Sequence, residues 1–127
     1  MITKRPKYGN KKVEVDGVKF DSKLELYLYN KLKENGFDFD FQVKVELIPK
    51  FRFRDENIRA MEMRVDFLLR HNGKEIFIDT KGFATAEAKL KYKHLKYKHK
   101  DNEIVDIVWL KTQKAVNEYI VNLKTEE

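Results

Sequence analysis

The chain contains no cysteine. Disulfides and thiolate metal sites are thereby excluded, and a cytoplasmic, reducing setting is the expected location. Any bound metal must take oxygen ligands, with His71, His94 and His99 the only imidazoles. No apolar run approaches the ~18 residues of a membrane span and no signal-peptide pattern is present, so nothing points to a membrane or to export. Repeats, low-complexity stretches and domain linkers are missing too. What remains, 127 residues with 42% apolar and 38% charged side chains, fits one soluble domain with a heavily charged surface. Residues 1–12 stand apart as a mobile basic arm containing Pro6, Gly9 and Asn10, which leaves 13–127 as the single domain.

Acidic residues are nearly missing from one segment. Residues 81–100 hold seven lysines against Glu87 alone, a net +6 that equals the charge of the whole chain, so the remainder is neutral. A neutral body with one cationic segment fits a polyanion partner, nucleic acid in the first place. A solvated, lysine-rich helix face is the plainer alternative.

Met61–Lys81 organises the rest. Asn72-Gly73 is a strong hairpin signal, because a type I′ turn needs positive φ at both central residues. Counting outward from it pairs His71 with Lys74, Leu69 with Ile76, Phe67 with Ile78 and Asp66 with Asp79. Opposed residues hold their Cβ atoms about 5 Å apart, which is destabilising for like charges. Lys81 falls on the face of Asp79, about 7 Å along the strand. Two carboxylates forced together among apolar neighbours are most economically explained by a divalent cation.

Upstream, Val13–Phe20 reads as a shorter hairpin turning at Asp16-Gly17. Ser22 is placed to cap a helix, Glu25 completes the S-x-x-E pattern, and Asn35-Gly36 ends it. Phe37–Leu47 alternates apolar and polar residues without a break, so a strand with one face in the core is expected up to Pro49. Phe51–Arg54 extends it, and Asp55–Asn57 turns the chain. Beyond Lys81 a helix is expected from near Thr85 to about Lys100, with Ala88, Tyr92 and Leu95 on its buried stripe. Ile104–Leu110 has the continuous apolar character of a central strand covered on both sides. Thr112 then caps a helix burying Val116, Tyr119, Ile120 and Leu123. The strand Glu75–Thr80, its helix and Ile104–Leu110 make a β-α-β unit with parallel strands. The fold class is α/β, a mixed central β-sheet flanked by helices.

Phosphodiester hydrolysis requires charge stabilisation at phosphorus and an activated water, and magnesium held by carboxylates and carbonyls supplies both. Asp66 and Asp79 are the candidate ligands and the carbonyl of Thr80 a further one. Lys81 is placed to orient the water or to stabilise developing charge. Glu25 completes the site if its helix packs across this face, while its capping role explains it equally. Solvent-facing acids paired by Arg64 would need no metal. The candidate DNA contacts are Lys89, Lys91, Lys93, Lys96, Lys98, Lys100 and His94, with Lys11 and Lys12 from the arm, holding backbone phosphates with little base readout.

V-D-F at 65–67 followed by D-T-K-G at 79–82, with a helical glutamate upstream, resembles the PD-(D/E)xK nuclease superfamily. More narrowly, F-D-S-K-L-E at 20–25, K-E-N-G-F-D-F at 33–39 and I-D-T-K-G-F at 78–83 are similar to the phage endonuclease I family of Holliday junction resolvases and to related small phage-encoded proteins. The similarity spans roughly residues 8–110. It implies a restriction-endonuclease-like core and an active site of Glu25, Asp66, Asp79 and Lys81 using Mg2+ or Mn2+. It also implies branched DNA as substrate, a homodimer that cuts both strands, and the cytoplasm of a bacterial host. Val65 stands where the superfamily has proline, and Asp79 where the endonuclease I family has glutamate, a shorter arm that shifts the metal. A nicking, duplex or flap endonuclease of the same fold is one alternative, since branch selectivity comes from dimer geometry. A non-catalytic DNA-binding accessory protein is the other.

Overall fold

The computed structural model describes residues 12–80 and 85–126. The arm up to residue 11, with Lys11, and the expected catalytic Lys81 lie outside them. Asp16-Gly17, both at positive φ, turns a small ribbon of β1 (Val13–Val15) and β2 (Val18–Phe20). Helix α1 (Lys23–Glu34) starts at the Ser22 cap and stops at Asn35. Strand β3 (Asp38–Ile48) leads into a second small ribbon, β4 (Phe51–Phe53) and β5 (Glu56–Ile58), and the chain returns as β6 (Met61–His71). Asn72 and Gly73, at φ 51° and 76°, send it into β7 (Lys74–Asp79). Helix α2 (Ala86–Lys98), capped by Thr85, β8 (Val105–Trp109) and α3 (Gln113–Thr125), capped by Thr112, complete the described chain.

The main sheet has the order β3-β6-β7-β8. The register of β6 on β7 is the one counted from the turn, with Phe67 opposite Ile78, Leu69 opposite Ile76 and His71 opposite Lys74. Strands β7 and β8 are parallel, as the intervening helix requires, and Asp79 lies opposite Trp109. The class is therefore α/β with a mixed sheet. One buried cluster joins Leu28 and Leu32 of α1 to Val116 and Ile120 of α3 over Phe67, Leu69 and Ile78. A second joins Tyr92 and Leu95 of α2 to Val45, Met63, Val65 and Phe77 on the other side.

Three expectations are corrected. Strand β8 is the edge of the sheet, not its centre. Its apolar run arises because both faces are covered, Val108 in the first cluster and Val105 and Ile107 in the second. The turn after Phe53 is Arg54-Asp55, with Glu56 and Asn57 already paired in β5, and Arg54 takes φ 55° with no glycine to announce it.

The third correction positions the site. Strand β3 does not keep one face to one core. Phe37, Phe39 and Phe41 pack in the cluster of α1 and α3, whereas Val43, Val45 and Leu47 pack in that of α2. Strand β6 changes sides at the same level, Phe67 and Leu69 in the first cluster, Met63 and Val65 in the second. The switch falls at Gln42, which takes φ 55°, a conformation rare for a non-glycine residue inside a strand. Gln42 and Asp66 lie between the Phe41–Phe67 and Val43–Val65 pairs. An unbroken alternation conceals this, because odd positions are apolar on both sides of the kink.

Candidate active site

The kink delivers Asp66, and the start of α1 delivers Glu25 beside it. Ser22 Oγ accepts the Glu25 N–H at 3.1 Å, which fixes the first helical turn. Glu25 Oε2 in turn accepts the Asp21 N–H at 2.8 Å, one residue farther back than a capping box reaches. Its Oε1 takes the Gln42 side-chain amide at 3.4 Å, and that amide also donates to the Lys19 carbonyl at 2.9 Å. The residue at the kink thus ties β2 and α1 to the sheet. Glu25 is 1% exposed. Burial first, and the charge of Asp66 second, push its carboxyl up to about 7, against the lowering effect of the Asp21 and Gln42 hydrogen bonds. Glu25 therefore has both a capping geometry and a place in the acidic cluster.

Asp21, Glu25 and Asp66 each bring one carboxylate oxygen within 4.8 Å of the other two. Arg64, two residues before Asp66 on β6, forms an ion pair with Asp21. The alternative of solvent-facing acids paired by Arg64 does not hold for Asp66 and Asp79, which are buried, and Arg64 pairs with Asp21 instead. Three hard oxygen donors at this spacing suit Mg2+ or Mn2+ better than any soft metal.

Asp79 approaches from the other strand. The Thr80 N–H donates to Asp66 Oδ2 at 2.9 Å and to Asp79 Oδ1 at 3.1 Å, so the hairpin brings both carboxylates to one donor. The Thr80 hydroxyl adds a bond to Asp66 Oδ2 at 2.8 Å. Asp79 Oδ2 accepts from the Tyr92 hydroxyl at 2.5 Å, a bond from α2. Burial, followed by the charge of Asp79, pushes the Tyr92 hydroxyl far above its ordinary value, which keeps it a donor at every physiological pH. Beside Asp79 a cleft of about 240 Å³ opens between β6 and the start of α2, walled by Arg64, Asp79, Glu87, Lys91 and Tyr92.

The candidate DNA contacts divide into two sets. Lys91 pairs with Glu87 at 3.2 Å, Lys98 donates to the Glu46 carbonyl at 2.6 Å, and Lys100 pairs with Asp101 at 2.6 Å. Lys89, Lys93 and Lys96 are exposed and form no ion pair among the described residues. His94 is half-buried and Lys12 exposed.

Asp21 and Gln42 are the residues that sequence reasoning missed, and the bond from the Tyr92 hydroxyl to Asp79 is a role it did not assign. No pattern announces the kink at Gln42.

A model of the family described as Protein of unknown function (DUF1064) matches residues 5–116. No curated protein and no solved structure matches the chain.

Proposed function

The chain belongs to the family described as Protein of unknown function (DUF1064), and from its site we propose a metal-dependent endonuclease that hydrolyses phosphodiester bonds in branched DNA, in the manner of a Holliday junction resolvase. One observation carries this reading: the cluster of Asp21, Glu25 and Asp66 at the kink, with Asp79 on the same Thr80 donor. Carboxylates gathered in a buried site are costly unless a cation compensates them. When bound, Mg2+ or Mn2+ would be held by Asp66, Glu25 and Asp21 beside Asp79, and would supply charge stabilisation at phosphorus and an acidified water.

The chain's own residues do the rest. Thr80 fixes the rotamer of Asp66, and Tyr92 fixes that of Asp79 at the cleft. Arg64 balances Asp21 and lines the same cleft, where its guanidinium can meet a phosphate oxygen. Lys89, Lys93 and Lys96 attract the polyanion, which makes binding strongly salt-dependent. Lys81, two residues past Asp79, keeps the charge-stabilising role its place in D-T-K gives it. Cutting both strands across a branch calls for two such sites, hence a homodimer.

A non-catalytic DNA-binding protein is the second reading. Its support is that Asp21, Asp66 and Asp79 have protein partners in Arg64, Thr80 and Tyr92. Incubating a labelled four-way junction and a matched linear duplex with the protein, in Mg2+ or in EDTA, beside Asp66→Asn, separates the two. Metal-dependent junction cleavage lost in the variant is the expected result. Binding without cleavage in every condition establishes the accessory reading, and equal cutting of the linear duplex makes the protein a general endonuclease.

A further inference from the structure

Lys89, Lys93 and Lys96 follow one face of α2 at i, i+4 and i+7, and they rim a groove of about 360 Å³ whose floor is Tyr92, Ile107 and Trp109. The rings of Tyr92 and Trp109 lie 5.1 Å apart and 33° from parallel. Intact duplex presents phosphates outward and keeps its bases stacked inside, so it would meet the lysines and leave the aromatic floor unused. An unpaired strand offers both surfaces at once, a charged backbone and a flat apolar base. Over these three lysines α2 rises about 10 Å, a length of one or two nucleotides.

The groove is joined to the acidic site through one residue. The Tyr92 ring belongs to the groove floor, its hydroxyl holds Asp79, and the cleft containing Asp79 and Arg64 is walled by the same side chain.

We propose that this groove binds single-stranded DNA, with a base against half-buried Trp109 and phosphates on Lys89, Lys93 and Lys96, and that the strand continues past Tyr92 towards Asp79. What happens to the strand at Asp79 rests on the nuclease reading, whereas the binding itself does not need cleavage. The substrate class this selects is DNA with an unpaired stretch next to the cut, as at an opened branch point or a flap.

Trp109 is the only tryptophan, so its fluorescence reports this groove without a label. The full chain is titrated with an oligothymidine of about ten nucleotides in EDTA at low salt. Saturable quenching is expected, weakened about tenfold or more when Lys89→Gln, Lys93→Gln and Lys96→Gln are combined, and weakened again by added salt. A blunt duplex of equal length is expected to quench far less at equal concentration. Circular dichroism of the triple variant, whose changes are all on an exposed face, confirms that its fold is retained. The inference is overturned if the single strand does not quench, if duplex or polyglutamate quenches equally, or if the triple variant binds unchanged. A fluorescence change that tracks protein concentration without DNA would assign the floor to a second copy of the chain and also overturn it. Because EDTA silences cleavage, failure here leaves the junction-cutting test intact, and failure of that test leaves this one intact.

Discussion

Asp66 and Asp79 share one backbone donor and sit in opposite surroundings. On the α1 side, Asp66 faces Glu25 and Asp21, three carboxylates with Arg64 engaged by Asp21. On the α2 side, Asp79 is held by the Tyr92 phenol, whose ring packs against Trp109. In the first half, burial first and the charge of Asp66 second raise the Glu25 carboxyl to about 7, whereas in the second the Tyr92 hydroxyl orients one oxygen of Asp79. The difference teaches a division of chemistry, carboxylates concentrated on the α1 side and a phenol set on Asp79 on the α2 side; in the proposed nuclease the first would hold the cation and the second would aim Asp79.

Four substitutions or conditions test that division, in order of expected size. Asp66→Asn keeps the shape and the Thr80 contact but removes the central charge, and should lower junction cleavage by at least about 10²–10³-fold in a gel assay. Tyr92→Phe deletes only the bond to Asp79 and should cost about 10–100-fold in rate while Mn2+ affinity stays near that of the parent chain. If Tyr92→Phe abolished metal binding as well, the two halves would be one, and the comparison would break.

Stability gives the smaller effects. At 100 times its dissociation constant, Mg2+ should add about 2.7 kcal/mol, seen as a rise of several degrees in Tm that Asp66→Asn loses. Without metal, stability should fall as pH rises from about 4.5 to about 7, because the native state keeps a proton on Glu25 that the unfolded chain has released. Below that window both states are protonated, and above it the penalty is constant. Urea midpoints across the range should show this slope, and Glu25→Gln should flatten it. A slope unchanged in Glu25→Gln would place the burial cost elsewhere.

How legible the two halves were in the sequence follows the same line. The register as far as Phe67 opposite Ile78 was readable, because Asn72-Gly73 dictates a turn type and the turn dictates a register, and just past that pair Asp66 and Asp79 meet at the Thr80 N–H. The capping contact of Glu25 was readable from S-x-x-E, as was α2 from its stripe and its Thr85 cap. Helical spacing placed Tyr92 in the core correctly, but spacing carries no information about where a hydroxyl points. The kink was hidden for a physical reason: two clusters on opposite faces both want apolar residues, so a chain that changes sides can keep one alternating pattern throughout. Asp21 was hidden with it, since only the kink sets Gln42 and Asp66 against the start of α1. Strand β8 misled through composition, as helices covering both faces make an edge strand as apolar as a central one.

The account stands on the kinked strand pair gathering acids around a cation. Calorimetric titration of Mn2+ into the metal-free chain above pH 7, beside Asp66→Asn with an unchanged circular dichroism spectrum, tests that directly. The account predicts one ion bound per chain and none of that binding in the variant. Equal binding by both proteins, or binding by neither, would contradict it.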